Sequence, residues 1–81
     1  MAYTTYILKS IKDEKYYYGH TEHIDIRLKQ HNNGRVRSTK SRVPFVIHYT
    51  ENFKSKSEAF AREQFFKSLA GRNWLKQQEI I

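Results

Sequence analysis

The sequence predicts an α+β fold, a small three-stranded antiparallel sheet flanked by helices. Three observations carry that expectation. Two runs of β-branched and aromatic residues lie near the N-terminus, joined by a short polar segment. Apolar residues then recur at helical spacing before and after a third, alternating run. The resulting order is strand, strand, helix, strand, helix, helix.

Residues 3–9, Tyr-Thr-Thr-Tyr-Ile-Leu-Lys, read as the first strand. Ser10 to Lys15 is polar, carries Asp13 and forms the hairpin connection. Tyr16 to His20 is the second strand, antiparallel to the first because the loop is short. Gly19 marks a strand end or a close approach of backbone. A helix starts at Thr21 or Glu22 and runs to about Asn32, with Ile24, Leu28 and His31 along one side. Asn33-Gly34 stops it, since both residues tolerate the left-handed conformation. Residues 34–43 are irregular and hold the cations Arg35, Arg37, Lys40 and Arg42 with no acid. In Phe45 to Tyr49, Phe45, Ile47 and Tyr49 alternate with Val46 and His48, a third strand that Pro44 opens. Ser55 and Glu58 have capping-box spacing, so a helix runs from about Lys56 to Leu69, with Phe60, Phe65, Phe66 and Leu69 as packing residues. Gly71 should end or interrupt it, leaving a short helix over 73–79. With no repeat, linker or break in composition, 1–81 reads as one domain.

The chain has 81 residues, no cysteine, one proline and three glycines. That excludes a disulfide framework, a thiolate metal site and low-complexity classes. No apolar run approaches the roughly 18–20 residues that cross a membrane, and the first residues lack signal-peptide character. The expectation is a soluble, cytoplasmic protein with no membrane partner. Fifteen Lys and Arg against eight Asp and Glu leave a net charge of +7, and aromatics make up 15% of the chain. A basic, tyrosine-rich composition points to a polyanionic partner, with a merely soluble basic domain as the alternative.

Several side chains could carry chemistry. Glu63 has Ala59, Phe60, Phe66 and Lys67 as helical neighbours, so its carboxylate is either ion-paired with Lys67 or partly desolvated and suited to a hard cation. Arg27 and His31 share a helix face. They are either a cationic surface or a phosphate-recognising guanidinium beside an imidazole. Tyr6 and Tyr17 approach one another across the hairpin, as core residues or as hydroxyls activated by a neighbouring charge. His20-x-x-His23 is a poor zinc site, with no cysteine and no second close histidine pair. The 35–42 loop suits phosphate contact or solubility.

The joint order of these residues resembles the GIY-YIG endonuclease family. Thr4-Thr5-Tyr6 matches the GIY element, with Thr in place of Gly and Ile, and Tyr17-Tyr18-Gly19 matches YIG. Arg27, within Ile26-Arg27-Leu28-Lys29-Gln30-His31-Asn32, matches the helix arginine, and Glu63 matches the metal-binding glutamate. Asn73 is an approximate match to an asparagine found after the Glu helix, a substrate contact. The resemblance spans about residues 3–75. It looks closest to small stand-alone members and more distantly similar to the N-terminal incision domain of bacterial nucleotide excision repair nucleases.

The resemblance implies metal-dependent hydrolysis of DNA phosphodiesters, in repair or recombination. One Mg²⁺ or Mn²⁺ would be held by Glu63, with Tyr6 or His31 as the base. Tyr17 would position the water or phosphate, and Arg27 would stabilise developing charge. Lys29, Arg35, Arg37, Lys40 and Arg42 would contact flanking phosphates. So short a chain leaves sequence choice to a protein partner or to DNA structure. The competing class is a non-catalytic nucleic-acid-binding module of the same fold, which has little reason to place a carboxylate such as Glu63 beside its phosphate groove.

Overall fold

β-branched, aromatic and hydroxyl side chains predominate along Tyr3–Ser10, and this strand, β1, is buried on both faces over Thr4 to Leu8. In the computed structural model, which describes residues 2–81, β1 lies between β2 (Tyr16–Thr21) and β3 (Phe45–Phe53) in the order β2-β1-β3, antiparallel throughout. The helices are α1 (Ile24–Asn32), α2 (Lys56–Lys67) and α3 (Leu69–Gln77), with a 3-10 turn at Lys40–Arg42. The chain adopts the expected α+β architecture.

Side-chain alternation divides the core in two. Tyr6, Leu8 and Phe45 face α1 and pack with Tyr17, Ile24, Leu28 and Val43. Ile7, Phe66 and Leu75 face α2 and α3 with Tyr16, Tyr18, Tyr49 and Trp74. Specific hydrogen bonds fix each layer. The Thr5 hydroxyl donates to the Ala59 carbonyl at 2.8 Å, tying α2 to β1. The Asn32 side chain accepts from Phe45 N at 2.6 Å and donates to Phe45 O at 3.0 Å, pinning the end of α1 to the start of β3.

Four local expectations need correction. The strand β2 continues through Gly19 to Thr21, and α1 begins only at Ile24. The strand β3 extends to Phe53, and its alternation does not hold: Ile7 pairs with Tyr49 while Leu8 pairs with Ile47, so a bulge absorbs His48. The extra residue puts Phe45 and Tyr49 on opposite faces of the sheet. On α2 the buried stripe is Ala59, Glu63 and Phe66, while Phe60 and Leu69 are exposed.

The fourth concerns Gly71. The helix breaks at Ser68, which has extended backbone and whose hydroxyl accepts from Gly71 N at 3.0 Å. Gly71 therefore lies inside α3, where its role is close packing. A Cβ there would fall 1.7 Å from the Phe65 carbonyl oxygen at the end of α2. Gly71→Ala is expected to lose at least about 2 kcal/mol, because backbone atoms must separate. Leu69→Ala, at an exposed position, should change stability by less than about 0.5 kcal/mol. Urea denaturation of the two variants checks both.

Candidate active site

Tyr6 and Gly19 are directly opposite in the β1–β2 register. The missing side chain at Gly19 lets the Tyr6 ring lie across the outer strand, since a Cβ there would sit 2.4 Å from the Tyr6 hydroxyl oxygen. On this face α1 brings His31 and Arg27 to the same place. His31 is fully buried, not half-buried as a cationic helix surface would have it. Its Nε2 lies 3.1 Å from the Tyr6 hydroxyl and its Nδ1 2.8 Å from the Thr39 hydroxyl. Tyr17 packs its ring against His31 at 5.0 Å and lies 6.5 Å from the Tyr6 ring. Arg27 donates from Nη1 to Gln30 Oε1 at 3.0 Å.

These positions set the charge states. Burial pushes the Tyr6 hydroxyl up. The Arg27 guanidinium pulls it partly back, while Tyr17 and Glu63 push it further up, so the phenol is neutral at pH 7. Burial, helped by the positive charge of Arg27, lowers His31 to about 4. At neutral pH the imidazole is uncharged and able to accept a proton.

The second half of the site comes from the opposite face of the sheet. His20 follows Gly19 on β2 and points to the α2 side, where its Nδ1 lies 2.7 Å from Glu63 Oε1. Lys67, one turn along α2, donates to Glu63 Oε2 at 2.8 Å. Glu63 is 8% exposed. Burial alone would raise its carboxyl, but the contacts with Lys67 and His20 outweigh it and hold the group below the usual carboxylate range. Glu63 is therefore ion-paired with Lys67, but as a buried group and not as a surface ion pair. Its charge also bears on the Tyr6 hydroxyl, so the two halves are electrostatic neighbours around the edge of β2.

Among the described residues, no three of His, Cys, Asp and Glu gather as a metal cage. His20 turns to Glu63, and His23 stands at the N-terminus of α1. An ion at Glu63 would draw on one carboxylate, a donor set that fits a hard cation keeping its waters and binding substrate oxygen.

The remaining residues differ in placement. Lys29, Arg35, Arg37 and Lys40 are exposed on α1 and the following loop. Arg42 is engaged: its Nε donates to Asp13 at 2.7 Å, its Nη2 to Tyr16 O at 3.4 Å, and its guanidinium covers Phe45. Asn73 is exposed on α3. The roles of His20 towards Glu63 and of Thr39 towards His31 were not read from the sequence. Strand alternation after Gly19 carried a signal for His20; an irregular loop carried none for Thr39.

A buried histidine with a depressed pKa binds protons more readily in the unfolded chain. Stability should therefore fall as pH drops from about 6.5 towards 4, by an amount on the order of 2 kcal/mol. Urea midpoints between pH 7.5 and 5 check this, and His31→Gln should flatten the slope.

Comparison with known proteins places this geometry. The sequence matches the GIY-YIG catalytic domain over residues 2–77. It is 42% identical over 69 residues to a UPF0213 protein of Bacillus licheniformis, covering 84% of this chain and 70% of that one. A UPF0213 protein of Staphylococcus haemolyticus is 41% identical over 75 residues, covering 91% and 90%. The solution NMR structure of a UPF0213 protein from Bacillus halodurans aligns with a TM-score of 0.57 at 34% identity, covering 99% of this chain and 85% of that one. With a match that runs through both tyrosine strands, Arg27, His31 and Glu63, this chain belongs to the GIY-YIG catalytic domain family, and UPF0213 proteins are its relatives.

Proposed function

We propose that the chain is a divalent-metal-dependent endonuclease that hydrolyses DNA phosphodiester bonds, in repair or recombination. The observation that carries this reading is the convergence of a buried, ionised carboxylate, Glu63, with a buried tyrosine hydroxyl bonded to a neutral imidazole. A module that only binds polyanions gains nothing from a carboxylate there, because it repels phosphate.

Both candidate bases are buried, but His31 has both ring nitrogens hydrogen-bonded within the protein. Tyr6 is the group whose hydroxyl is directed towards Gly19, Arg27 and the edge of β2. In the proposed step a water oxygen attacks phosphorus and its proton passes to the Tyr6 oxygen. The Tyr6 O–H bond breaks as its own proton moves to His31 Nε2. Arg27 stabilises negative charge growing on the phosphoryl oxygens. Tyr17, packed against His31, orients the water or phosphate, and Asn73 contacts the substrate further along. Glu63 would hold one Mg²⁺ or Mn²⁺, which supplies Lewis-acid stabilisation of the phosphoryl and leaving oxygens when bound. His20 and Lys67 keep the carboxylate ionised for that purpose.

Lys29, Arg35, Arg37 and Lys40 face solvent and would contact flanking phosphates. Arg42, held by Asp13, would act mainly by ordering the loop. One observation favours the alternative of a non-catalytic nucleic-acid-binding module: both Glu63 oxygens are already satisfied by His20 and Lys67, so the fold does not need an ion there.

Cleavage of supercoiled and branched DNA by wild type and Glu63→Ala, with Mg²⁺, Mn²⁺ or chelator, separates the readings. The expected result is metal-dependent cutting that the variant reduces by about 10²–10³-fold or more. Salt-sensitive binding by both proteins without cutting of any substrate would establish the binding module instead. The double variant Arg35→Ala/Arg37→Ala should weaken binding and reduce the slope of log K against log salt by about 2. An unchanged slope removes the loop from the interface.

A further inference from the structure

Thr39 lies between two exposed residues, Ser38 and Lys40, in the loop that leads to β3, yet it is fully buried. Its hydroxyl has one proton and two neighbours, the Val36 carbonyl oxygen at 3.3 Å and His31 Nδ1 at 2.8 Å. A carbonyl oxygen can only accept. When the hydroxyl proton goes to Val36, the hydroxyl oxygen is left as an acceptor for a proton on His31 Nδ1. A neutral imidazole carries one N–H, so Nε2 is then bare and faces the Tyr6 hydroxyl at 3.1 Å. The reverse arrangement puts the proton on Nε2, leaves the Val36 bond unmade and gives the Tyr6 proton no base to enter.

We propose that Thr39 is a positioning residue that fixes the His31 proton on Nδ1, so that Nε2 is free to receive the Tyr6 proton. Its consequence for cleavage rests on the nuclease reading; the ring tautomer itself does not. The local structure suits the task. Thr39 N donates to the same Val36 carbonyl at 3.0 Å, which closes the turn that delivers the side chain. The β-branched side chain restricts χ1 and holds the hydroxyl in one direction. When His31 becomes imidazolium, Nδ1–H still donates to Thr39 and Nε2–H donates to the Tyr6 oxygen. Only the Tyr6–Nε2 bond exchanges donor and acceptor, through the transfer itself, while both Thr39 bonds keep their direction, the condition for a preorganised relay.

The test reads the tautomer directly, by long-range ¹H–¹⁵N correlation of the His31 ring at pH 7 in wild type, Thr39→Val and Thr39→Ser. Wild type should show the proton on Nδ1. Thr39→Val, close in shape and without the hydroxyl, should show a mixture or the Nε2–H form, and Thr39→Ser should return most of the population to Nδ1–H. On cleaved DNA, Thr39→Val should lower kcat by about 10–100-fold with little change in KM, with Thr39→Ser restoring most of it. A wild-type ring protonated on Nε2 overturns the proposal. So does a Thr39→Val ring that keeps the wild-type tautomer, whether or not activity falls. If wild type cuts no DNA, the nuclease reading falls, and the tautomer result still decides the role of Thr39.

Discussion

The site depends on one constraint, the two-residue alternation of a central strand covered on both faces. Along β1, Thr5 points to α2 and anchors it through the Ala59 carbonyl, while Tyr6 points to α1 and reaches His31. Across the ladder, Gly19 faces Tyr6 and His20 faces Thr5. The tyrosine–imidazole pair and the histidine–carboxylate pair are thereby assigned to opposite faces of one sheet. The Glu63 charge still bears on the Tyr6 hydroxyl, and the missing side chain at Gly19 gives that hydroxyl its room beside β2.

Polar burial is heavy for so small a core. Among the described residues, Thr4, Thr5, Ser10, His31, Thr39 and Glu63 are buried beside seven buried hydrophobic residues. Small domains have little apolar area to offset such groups. Each is tolerated because it is partnered: among the described residues, no buried side-chain nitrogen or oxygen lacks a hydrogen bond. An apolar residue at His31 alone would leave the buried Tyr6 and Thr39 hydroxyls unpartnered, and one at Glu63 would strand His20 and Lys67. The presence of His31 and Glu63, fully satisfied and held on rigid elements, is what a preorganised site requires.

The parts of this arrangement legible in the sequence are those that periodicity controls. Tyr6 and Tyr17 fall on paired strands, Arg27 and His31 on one face of α1, and Glu63 on the inner stripe of α2, as spacing implies. What escaped depends on contacts between distant segments. The bulge at His48 is a property of pairing with β1, and it reverses the face of Tyr49 relative to Phe45. Gly71 reads as a helix stop from propensity, yet the stop is Ser68 and the glycine answers to the approach of Phe65 O. Phe60 and Leu69 look like core from composition, but the stripe α2 buries carries Ala59 and Glu63 in their stead. Burial of Thr39 inside a cationic loop has no signal in residue spacing, since it combines a turn at Val36 with the contact to His31 of α1.

That loop is better described as an anchored display than as a flexible linker. Thr39 bonds inward to His31, the Arg42 carbonyl accepts from Ser10, and the Arg42 guanidinium is clipped to Asp13 across the hairpin. Lys12 adds a bond to the Ser41 carbonyl from the same hairpin. Arg35, Arg37 and Lys40 consequently project from backbone already fixed at the C-terminal end of the loop and at Thr39. The ordering entropy that a mobile basic loop would lose on meeting a polyanion has largely been lost on folding. The inward bond from Thr39 that holds the loop also orients the His31 ring, so the charged surface and the buried Tyr6–His31 pair share one support.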